Sequence, residues 1–149
     1  MAQLSDVAKR AGVSTASVSR VLNHPDKVSA RIREKVTLAM EELGYVRDGA
    51  ARALASRRSY SIGSVVPTIG IGIFASGVER LQQRLQEYGY QLLIATTQYD
   101  ASKEIEAVRS LIERGVDGVQ LVGQQHDPRI YALLQGRGIP YVNSYQYDP

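Results

Sequence analysis

The 149-residue chain has no cysteine, no tryptophan, one phenylalanine and only two histidines. Without cysteine it cannot form disulfides or a thiolate metal site, and its histidines show no metal-ligand spacing. No apolar run approaches the length of a membrane-spanning helix, no signal peptide is recognisable, and no nucleophile–base–orienter set is present. We therefore predict a protein that is not an enzyme, holds no cofactor or metal, and works in a reducing, cytoplasmic setting.

Positive charge is concentrated near the amino terminus. Residues 1–60 carry 11 Lys and Arg against 6 Asp and Glu, a net charge of +5, whereas residues 61–149 carry 7 against 9, a net charge of −2. A basic module on a mildly acidic carrier is typical of proteins that face nucleic acid. Charge alone does not exclude the alternative that this asymmetry of the surface arises by chance.

Residues 4–23 predict two short helices that meet at a sharp turn. We expect Ser5 to cap the first helix, Gly12 to end it in a left-handed conformation, and Ser14 to cap a second helix that runs towards Asn23. The inward apolar positions are Val7, Ala8, Ala11, Val13, Val18, Val21 and Leu22. The outer face of the second helix keeps small or hydrogen-bonding side chains, namely Thr15, Ala16, Ser17, Ser19 and Arg20. Such a face suits a helix that lies in a DNA major groove.

A third helix is predicted between Ser29, as its cap, and Gly44. Its apolar stripe consists of Ile32, Val36, Ala39, Met40 and Leu43. Residues 47–59 then carry alanines and arginines but few core residues. Asp48 can cap a fourth helix of about two turns over residues 49–55, which is marginal alone in water. We interpret it as a linker that folds on binding.

From Ser61 onwards, strands and helices alternate at short spacing. The predicted strands are residues 62–67, 91–96, 118–122 and 140–143, and the predicted helices are residues 74–88, 102–114 and 128–135. This alternation predicts a parallel sheet with helices on both faces. The glycine-rich residues 69–77 follow a strand and precede a helix, but their spacing fits neither G-x-G-x-x-G nor a P-loop, so no nucleotide site is expected.

A longer motif extends over the first 63 residues. Its members are Asp6-Val7-Ala8, Ala11-Gly12-Val13-Ser14, Val18-Ser19-Arg20-Val21, Asn23, Val28-Ser29, Arg33, Val36, Leu43-Gly44-Tyr45, Ala51-Arg52, Leu54 and Ile62-Gly63. A set of this length, with the linker attached, is far more specific than helix-turn-helix spacing alone. In these residues the chain resembles the lactose-repressor (LacI/GalR) family of bacterial transcription regulators.

The resemblance implies an α + α/β architecture in three parts. These are a three-helix helix-turn-helix headpiece at residues 1–46, a hinge helix at 47–59, and a partial parallel-sheet α/β lobe of periplasmic-binding-protein type at 60–149. A complete effector-binding core of the family is longer than the segment after Ser61, so we expect a chain truncated after part of the first lobe.

The resemblance also implies a function. Such a protein is a transcriptional repressor that binds a near-palindromic double-stranded DNA operator as a homodimer, and a small-molecule, sugar-type effector controls the full-length form. The alternative is a small-molecule-binding module with a helical protein-docking segment. The basic amino-terminal third and the arginines around the linker favour the regulator.

Position in the motif assigns candidate DNA contacts. The base-contact candidates are Thr15, Ala16, Ser17, Arg20 and Leu54, and the phosphate-contact candidates are Ser5, Ser14, Ser19, Asn23, Ser29 and Tyr45. For the serines at helix starts, a purely structural capping role is the alternative. Asp48, Ala51 and Arg52 belong to the hinge, where Arg47-Asp48 replaces the Pro-Asn usual in the family. Leu54 corresponds to the residue that wedges into the minor groove, and packing against the following lobe is its alternative.

Effector contacts are predicted at two aromatic residues, Phe74 and Tyr145, because sugars stack on aromatic faces. Tyr99 and Tyr147 are weaker candidates of the same kind, and core packing is the alternative for all four. His24 and His126 are expected to be loop histidines without a functional pairing.

Overall fold

The computed structural model describes residues 2–123 and 125–145, without the side chain of Ala55. The chain divides into two compact units, Met1–Asp48 and Gly49–Pro149. Within the described residues, no helix combines the length and the apolar character needed to cross a membrane.

The first unit consists of three α-helices and one 3₁₀ turn. Helix α1 spans Leu4–Ala11, α2 spans Thr15–Asn23, the 3₁₀ turn is Pro25–Lys27, and α3 spans Ala30–Leu43. Each helix contributes a fully buried valine to a common core: Val7 from α1, Val18 from α2 and Val36 from α3. The predicted inward positions of α1 and α2 all lie in or against this core, whereas Leu43 of the predicted α3 stripe is exposed near the end of that helix. The side chains of the core interdigitate because the apolar positions repeat at helical spacing.

Two glycines end helices of the first unit in the left-handed conformation. Gly12 after α1 has φ +66°, and Gly44 after α3 has φ +57°, a region that glycine adopts without steric cost. The N–H of Val13 then donates to the carbonyl of Ala8 at 3.0 Å, and this bond closes the sharp turn before α2. Ser14 caps α2 as predicted, because its hydroxyl accepts from the N–H of Ser17 at 3.1 Å.

The prediction that Ser5 caps α1 is wrong. Gln3 occupies the N-cap position, and its backbone N–H donates to the Asp6 carboxylate at 2.8 Å. A charged acceptor in the first turn satisfies a free donor and complements the positive end of the helix dipole, so it replaces a serine cap. Ser5 lies exposed within the first turn. Ser29 holds the predicted N-cap position of α3, but its side chain makes no capping hydrogen bond.

The second unit is an α/β lobe preceded by a short helix. Helix α4 spans Gly49–Ser56, close to its predicted bounds. The strands are β1 Ser61–Val66, β2 Gln91–Thr96, β3 Gly118–Val122 and β4 Tyr141–Ser144. The connecting helices are α5 Gly72–Glu87, α6 Ala101–Glu113 and α7 Pro128–Gly136. All four strands are parallel in the order β2-β1-β3-β4, which confirms the predicted parallel sheet.

One face of the sheet holds the hydrophobic core of the lobe. The buried strand residues Val65, Val119 and Leu121 pack against α6 and α7 there. Gly63 in β1 permits this close approach, since a Cβ at that position would lie 2.7 Å from a methyl group of Leu111 in α6. A larger residue at this position would require the Leu111 side chain to shift.

The opposite face carries a row of side-chain hydrogen bonds across three strands. The Ser64 hydroxyl of β1 donates to Oε1 of Gln120 in β3 at 2.7 Å, and Nε2 of Gln120 donates to the Ser144 hydroxyl of β4 at 2.9 Å. Ser64 is completely buried, so its polar group needs this partner. The Gln82 side chain of α5 accepts from the N–H of Leu92 at 2.9 Å, which ties that helix to β2.

Candidate nucleic-acid interface and effector cleft

The outer face of α2 presents most of the predicted base-contact residues to solvent. Thr15, Ala16 and Arg20 are exposed, while Ser17 is half-buried and shares a 2.9 Å hydrogen bond with the Ser14 hydroxyl. The completely buried Val18 seats the helix, so the exposed side chains project from a fixed backbone. Within residues 2–123 and 125–145, Arg20 has no ion pair or side-chain hydrogen bond. Its guanidinium is therefore free to bind a ligand.

The carboxyl end of α2 is joined to the chain that leaves the first unit. Nδ2 of Asn23 donates to the backbone carbonyl of Ser19 at 2.9 Å and to its hydroxyl at 3.2 Å. Arg47 in turn donates to Oδ1 of Asn23 and, at 3.3 Å, to the carbonyl of Leu22. Sequence reasoning did not predict that Arg47 would hold α2.

The other predicted phosphate-contact residues lie at separate places on the first unit. Ser5 and Ser29 are exposed at the starts of α1 and α3, and Tyr45 is half-buried against the helical core. Nearby, Arg10 of α1 forms an ion pair with Glu42 of α3. This pair ties the two helices together across the surface.

Leu54 on α4 is 85% exposed. The alternative that it packs against the following lobe is therefore wrong. The reason is the composition of α4, whose eight residues Gly-Ala-Ala-Arg-Ala-Leu-Ala-Ser offer few large apolar side chains that could dock a helix. The Leu54 side chain is therefore available for contact with a partner.

The chain that follows α4 is held to the lobe by Asp117, directly before β3. The backbone N–H groups of Ser59 and Tyr60 donate to its carboxylate at 2.9 and 3.0 Å. The guanidinium of Arg52 lies 3.8 Å from the centre of the Tyr60 ring, within cation–π range. The ring of Tyr60 also contacts that of Tyr90, with 5.4 Å between the centroids. Sequence reasoning missed Asp117, because 57 residues separate it from Tyr60.

A cleft of about 440 Å³ opens at the carboxyl ends of the strands in the lobe. This edge of a parallel sheet is where α/β folds usually bind ligands, and the volume suits a small molecule. Phe74 and Tyr145, the two predicted effector residues, both line it, and so does Tyr99. Tyr147 lies outside the described residues.

Phe74 and Tyr145 form one wall of the cleft. Their rings meet edge to face with 5.6 Å between the centroids, and the Tyr145 hydroxyl donates to the carbonyl of Ile73 at 3.0 Å. Gly77 makes room for this arrangement, because a Cβ there would lie 2.2 Å from the Tyr145 oxygen. The hydroxyl of Tyr145 is thus occupied.

The two carboxylic acids and the histidine that line the cleft all have hydrogen-bond partners. Nδ1 of His126 lies 2.6 Å from Oε1 of Glu104, and the two side chains are only 1% and 12% exposed. His126 does lie in a loop, but its buried pairing with α6 was not predicted, since the two residues are 22 positions apart. Asp100 caps α6, and hydrogen bonds from the hydroxyl and N–H of Ser102 lower the pKa of its carboxyl group.

Known proteins are similar to this chain in both sequence and fold. Residues 3–48 match the family described as "Bacterial regulatory proteins, lacI family". The chain is 34% identical over 139 residues to the HTH-type transcriptional regulator GntR of Escherichia coli K12, covering 93% of this chain and 42% of that protein. It is 40% identical over 119 residues to the sucrose operon repressor of Lactococcus lactis subsp. lactis, covering 80% of this chain and 37% of the repressor.

A solved structure agrees with these relatives. The crystal structure of the lac repressor dimer bound to operator and the anti-inducer ONPF matches with a TM-score of 0.79 and 29% identity, over 95% of this chain and 44% of that one. The chain thus spans less than half the length of each of these relatives, all of which are named as regulators or repressors rather than enzymes. Residues 3–48 form a domain of the lacI family of bacterial regulatory proteins, and the longer similarity to regulators and repressors continues through the lobe.

Proposed function

We propose that this chain is the DNA-binding part of a transcriptional repressor that binds a near-palindromic double-stranded operator as a homodimer. One observation carries the proposal: α2 presents the exposed Thr15, Ala16 and Arg20 from a backbone that is fixed by its buried face. A helix of this kind can enter a major groove, with bases read by its exposed side chains.

Within this proposal, Arg20 binds a guanine through two hydrogen bonds, and Ala16 offers its methyl group to a thymine methyl. Thr15 and Ser17 complete the base-reading face. The phosphate contacts are assigned to Ser5, Ser14, Ser19, Asn23, Ser29 and Tyr45, which set the register of the protein on the duplex. The division into headpiece, hinge and lobe is part of the same proposal.

The hinge proposal rests on α4. Its residues Ala51 and Arg52, with Asp48 before it, form a helix that pairs with its mate from the second protomer, and Leu54 enters a central base step through the minor groove. The 85% exposure of Leu54 supports this role, because the side chain is not used within the lobe.

We assign the cleft of the lobe to a small-molecule, sugar-type effector that acts on the full-length protein, with Phe74 and Tyr145 as contact residues. The aromatic wall and the size of the cleft support this assignment, as does the relative named as a sucrose operon repressor. A protein that binds chromosomal operators works in the bacterial cytoplasm, at the nucleoid.

The test is selection of bound DNA from a random pool by the chain, followed by shift assays of the selected site at two salt concentrations. We expect a selected sequence with two symmetric half-sites and an affinity that falls as salt rises. Arg20→Ala should lower affinity by about 1–3 kcal/mol and relax preference at one base pair in each half-site.

The matched control is Arg137→Ala, which removes an exposed arginine of the lobe. It should leave affinity and the selected sequence unchanged. If no DNA binds even at low salt, the repressor proposal is wrong, and the alternative of a small-molecule-binding module with a helical protein-docking segment takes its place.

A further inference from the structure

We propose that Arg47 is a further DNA-backbone contact, and that it donates to a phosphate between the major groove read by α2 and the minor groove entered by Leu54. This inference rests on the proposed operator binding, to which it adds a residue and its point of contact. The geometry behind it is a guanidinium that the carboxyl end of α2 holds in place and that keeps N–H groups for a ligand.

The half-buried Arg47 side chain is held at two points. Its Nη2 donates to Oδ1 of Asn23, and its Nη1 donates to the backbone carbonyl of Leu22 at 3.3 Å. Leu22 lies in the last turn of α2, where backbone carbonyls lack a partner within the helix and where a cation complements the negative end of the helix dipole. The guanidinium is therefore oriented by the same helix that presents Arg20.

The side-chain amide of Asn23 is fully used within the protein. Its Nδ2 donates to the carbonyl of Ser19 at 2.9 Å and to the Ser19 hydroxyl at 3.2 Å, while its Oδ1 accepts from Arg47. A phosphate ester accepts hydrogen bonds and offers none, so it needs an N–H or O–H donor from the protein. Asn23 therefore acts as a positioning residue for Arg47, and the donor to a phosphate at this corner is the guanidinium.

Arg47 keeps both its charge and part of its hydrogen-bonding capacity. A guanidinium carries five N–H groups in a planar fork that fits phosphate oxygens, and Arg47 uses two of its nitrogens towards uncharged acceptors. Among the described residues it forms no ion pair, whereas Arg10 is paired with Glu42 and Arg129 with Asp127. Its positive charge is thus not neutralised by a carboxylate and can bind an anion.

The place of Arg47 along the chain indicates which phosphates it can reach. Helix α4, which carries Leu54, begins at Gly49, two positions after Arg47. In the proposed complex α2 lies in the major groove and Leu54 enters the minor groove. A sugar–phosphate backbone separates the two grooves of a duplex, so the segment that leads into α4 has to pass it. Arg47 lies on that segment and is fastened to α2, which brings its guanidinium to the backbone.

The first experiment is a series of shift assays over a range of salt concentrations, with the DNA site selected from the random pool and its single-base-pair variants as probes. Arg47→Ala should weaken binding to all these duplexes by the same factor, about ten-fold for each protomer at low salt. The slope of log affinity against log salt should become shallower by about 0.9 for each protomer, because one phosphate is no longer neutralised. The order of preference among the duplexes should stay the same, since a phosphate contact carries no sequence information.

A second experiment locates the contact on the DNA. Each phosphate between a half-site and the centre of the selected site is replaced in turn by an uncharged methylphosphonate. At one position in each half, the replacement should weaken binding of the parent chain about ten-fold and binding of the Arg47→Ala variant hardly at all. The two changes are then not additive, because both remove the same contact.

Two variants serve as controls. Arg47→Lys keeps a positive charge at this position, so it should keep the salt slope of the parent chain even where it loses affinity with the planar fork. Arg137→Ala removes the same charge from an exposed arginine of the lobe, and it should leave the affinity, the salt slope and the methylphosphonate effects unchanged.

A residue that only holds α2 in place would give a different result. In that case Arg47→Ala would change the order of preference among the duplexes and leave the salt slope as in the parent chain, and every methylphosphonate effect would add to that of the variant. Either outcome overturns this inference alone if the parent chain still binds the selected site and depends on Arg20. Absence of DNA binding by the parent chain at low salt would overturn the repressor proposal and this inference together.

Discussion

At the scale of single residues, the exposed Leu54 side chain is central to the proposed DNA binding. A leucine side chain that is 85% exposed on an eight-residue helix gains nothing from folding of the lobe. Removal of such a side chain from water is worth about 2 kcal/mol. Burial of this side chain in the base step proposed above would recover that free energy and strengthen DNA binding.

Leu54→Ala should weaken operator binding by about 2 kcal/mol per protomer, or about 30-fold for each copy, and reduce the DNA bend while the headpiece stays folded. Affinity is measured by shift assay, and the bend by a gel assay with permuted sites. Leu38→Ala is the matched control, because Leu38 is a 56% exposed leucine on α3 outside the proposed interface. An unchanged bend in the Leu54 variant would refute the wedge.

Whether a side-chain contact could be predicted from the sequence depended on how far apart its two residues lie along the chain. Ser14 could be recognised as a cap because its partner Ser17 is three residues away. Ser5 was misassigned because Asp6, a competing acceptor, was equally local but charged. The contacts of Arg47 with Asn23 and of His126 with Glu104 join residues more than 20 positions apart, and local patterns carry no information about them.

At the scale of elements, hydrogen bonds between nearby residues stabilise the starts of the helices, as the cap of α7 shows. Asp127 accepts from the N–H of Arg129 at 2.9 Å, and the Arg129 guanidinium donates three further hydrogen bonds that reach both carboxylate oxygens. The side-chain hydrogen bond from Arg129 is the main reason that the pKa of Asp127 falls to about 2. The ionised cap and the positive end of α7 stabilise one another.

Because of this cap, the free energy of unfolding of the lobe should depend on pH in the acidic range. Because the Asp127 pKa is lower in the folded state (about 2) than its ordinary value of 3.8, the carboxylate stabilises the fold above pH 3.8, and this contribution is lost as pH falls towards 2. Asp127→Asn should remove that part of the dependence while it keeps a capping oxygen. Thermal melts at pH 6, 4 and 2 measure it.

Asp26→Asn serves as the control for this pH series. Asp26 lies in the 3₁₀ turn, and within the described residues its side chain makes no hydrogen bond or ion pair. Its replacement should leave the acid dependence as in the parent chain. If the unfolding temperature falls equally with pH in the Asp127→Asn variant and in the parent chain, the cap does not contribute to the acid dependence.

At the scale of the whole molecule, two separate hydrophobic cores support the fold. Val36 belongs to the core of the helical unit, and Val108 belongs to the core between α6, α7 and the sheet. Both side chains are completely buried. Since the two cores share no residue, each unit should respond to changes in its own core.

Val36→Ala should destabilise the helical unit by about 2 kcal/mol through lost burial and the cavity left behind, and lower its unfolding temperature by roughly 10 °C. The lobe should be unaffected. Val108→Ala is the matched reciprocal change and should lower only the unfolding temperature of the lobe. Amide NMR signals followed with temperature distinguish the units, and a shared loss in both variants would contradict separate cores.

The sequence by itself determined the helices, the strands and their parallel arrangement, because these follow from apolar periodicity and from glycine and cap residues acting over a few positions. It also determined the exposed face of α2 and the place of α4. Only the tertiary structure decided that Leu54 stays in water, that Asp117 holds the linker, and that Glu104 pairs with His126 behind an aromatic wall. Those features depend on contacts between distant segments, which exist only once burial has brought the segments together.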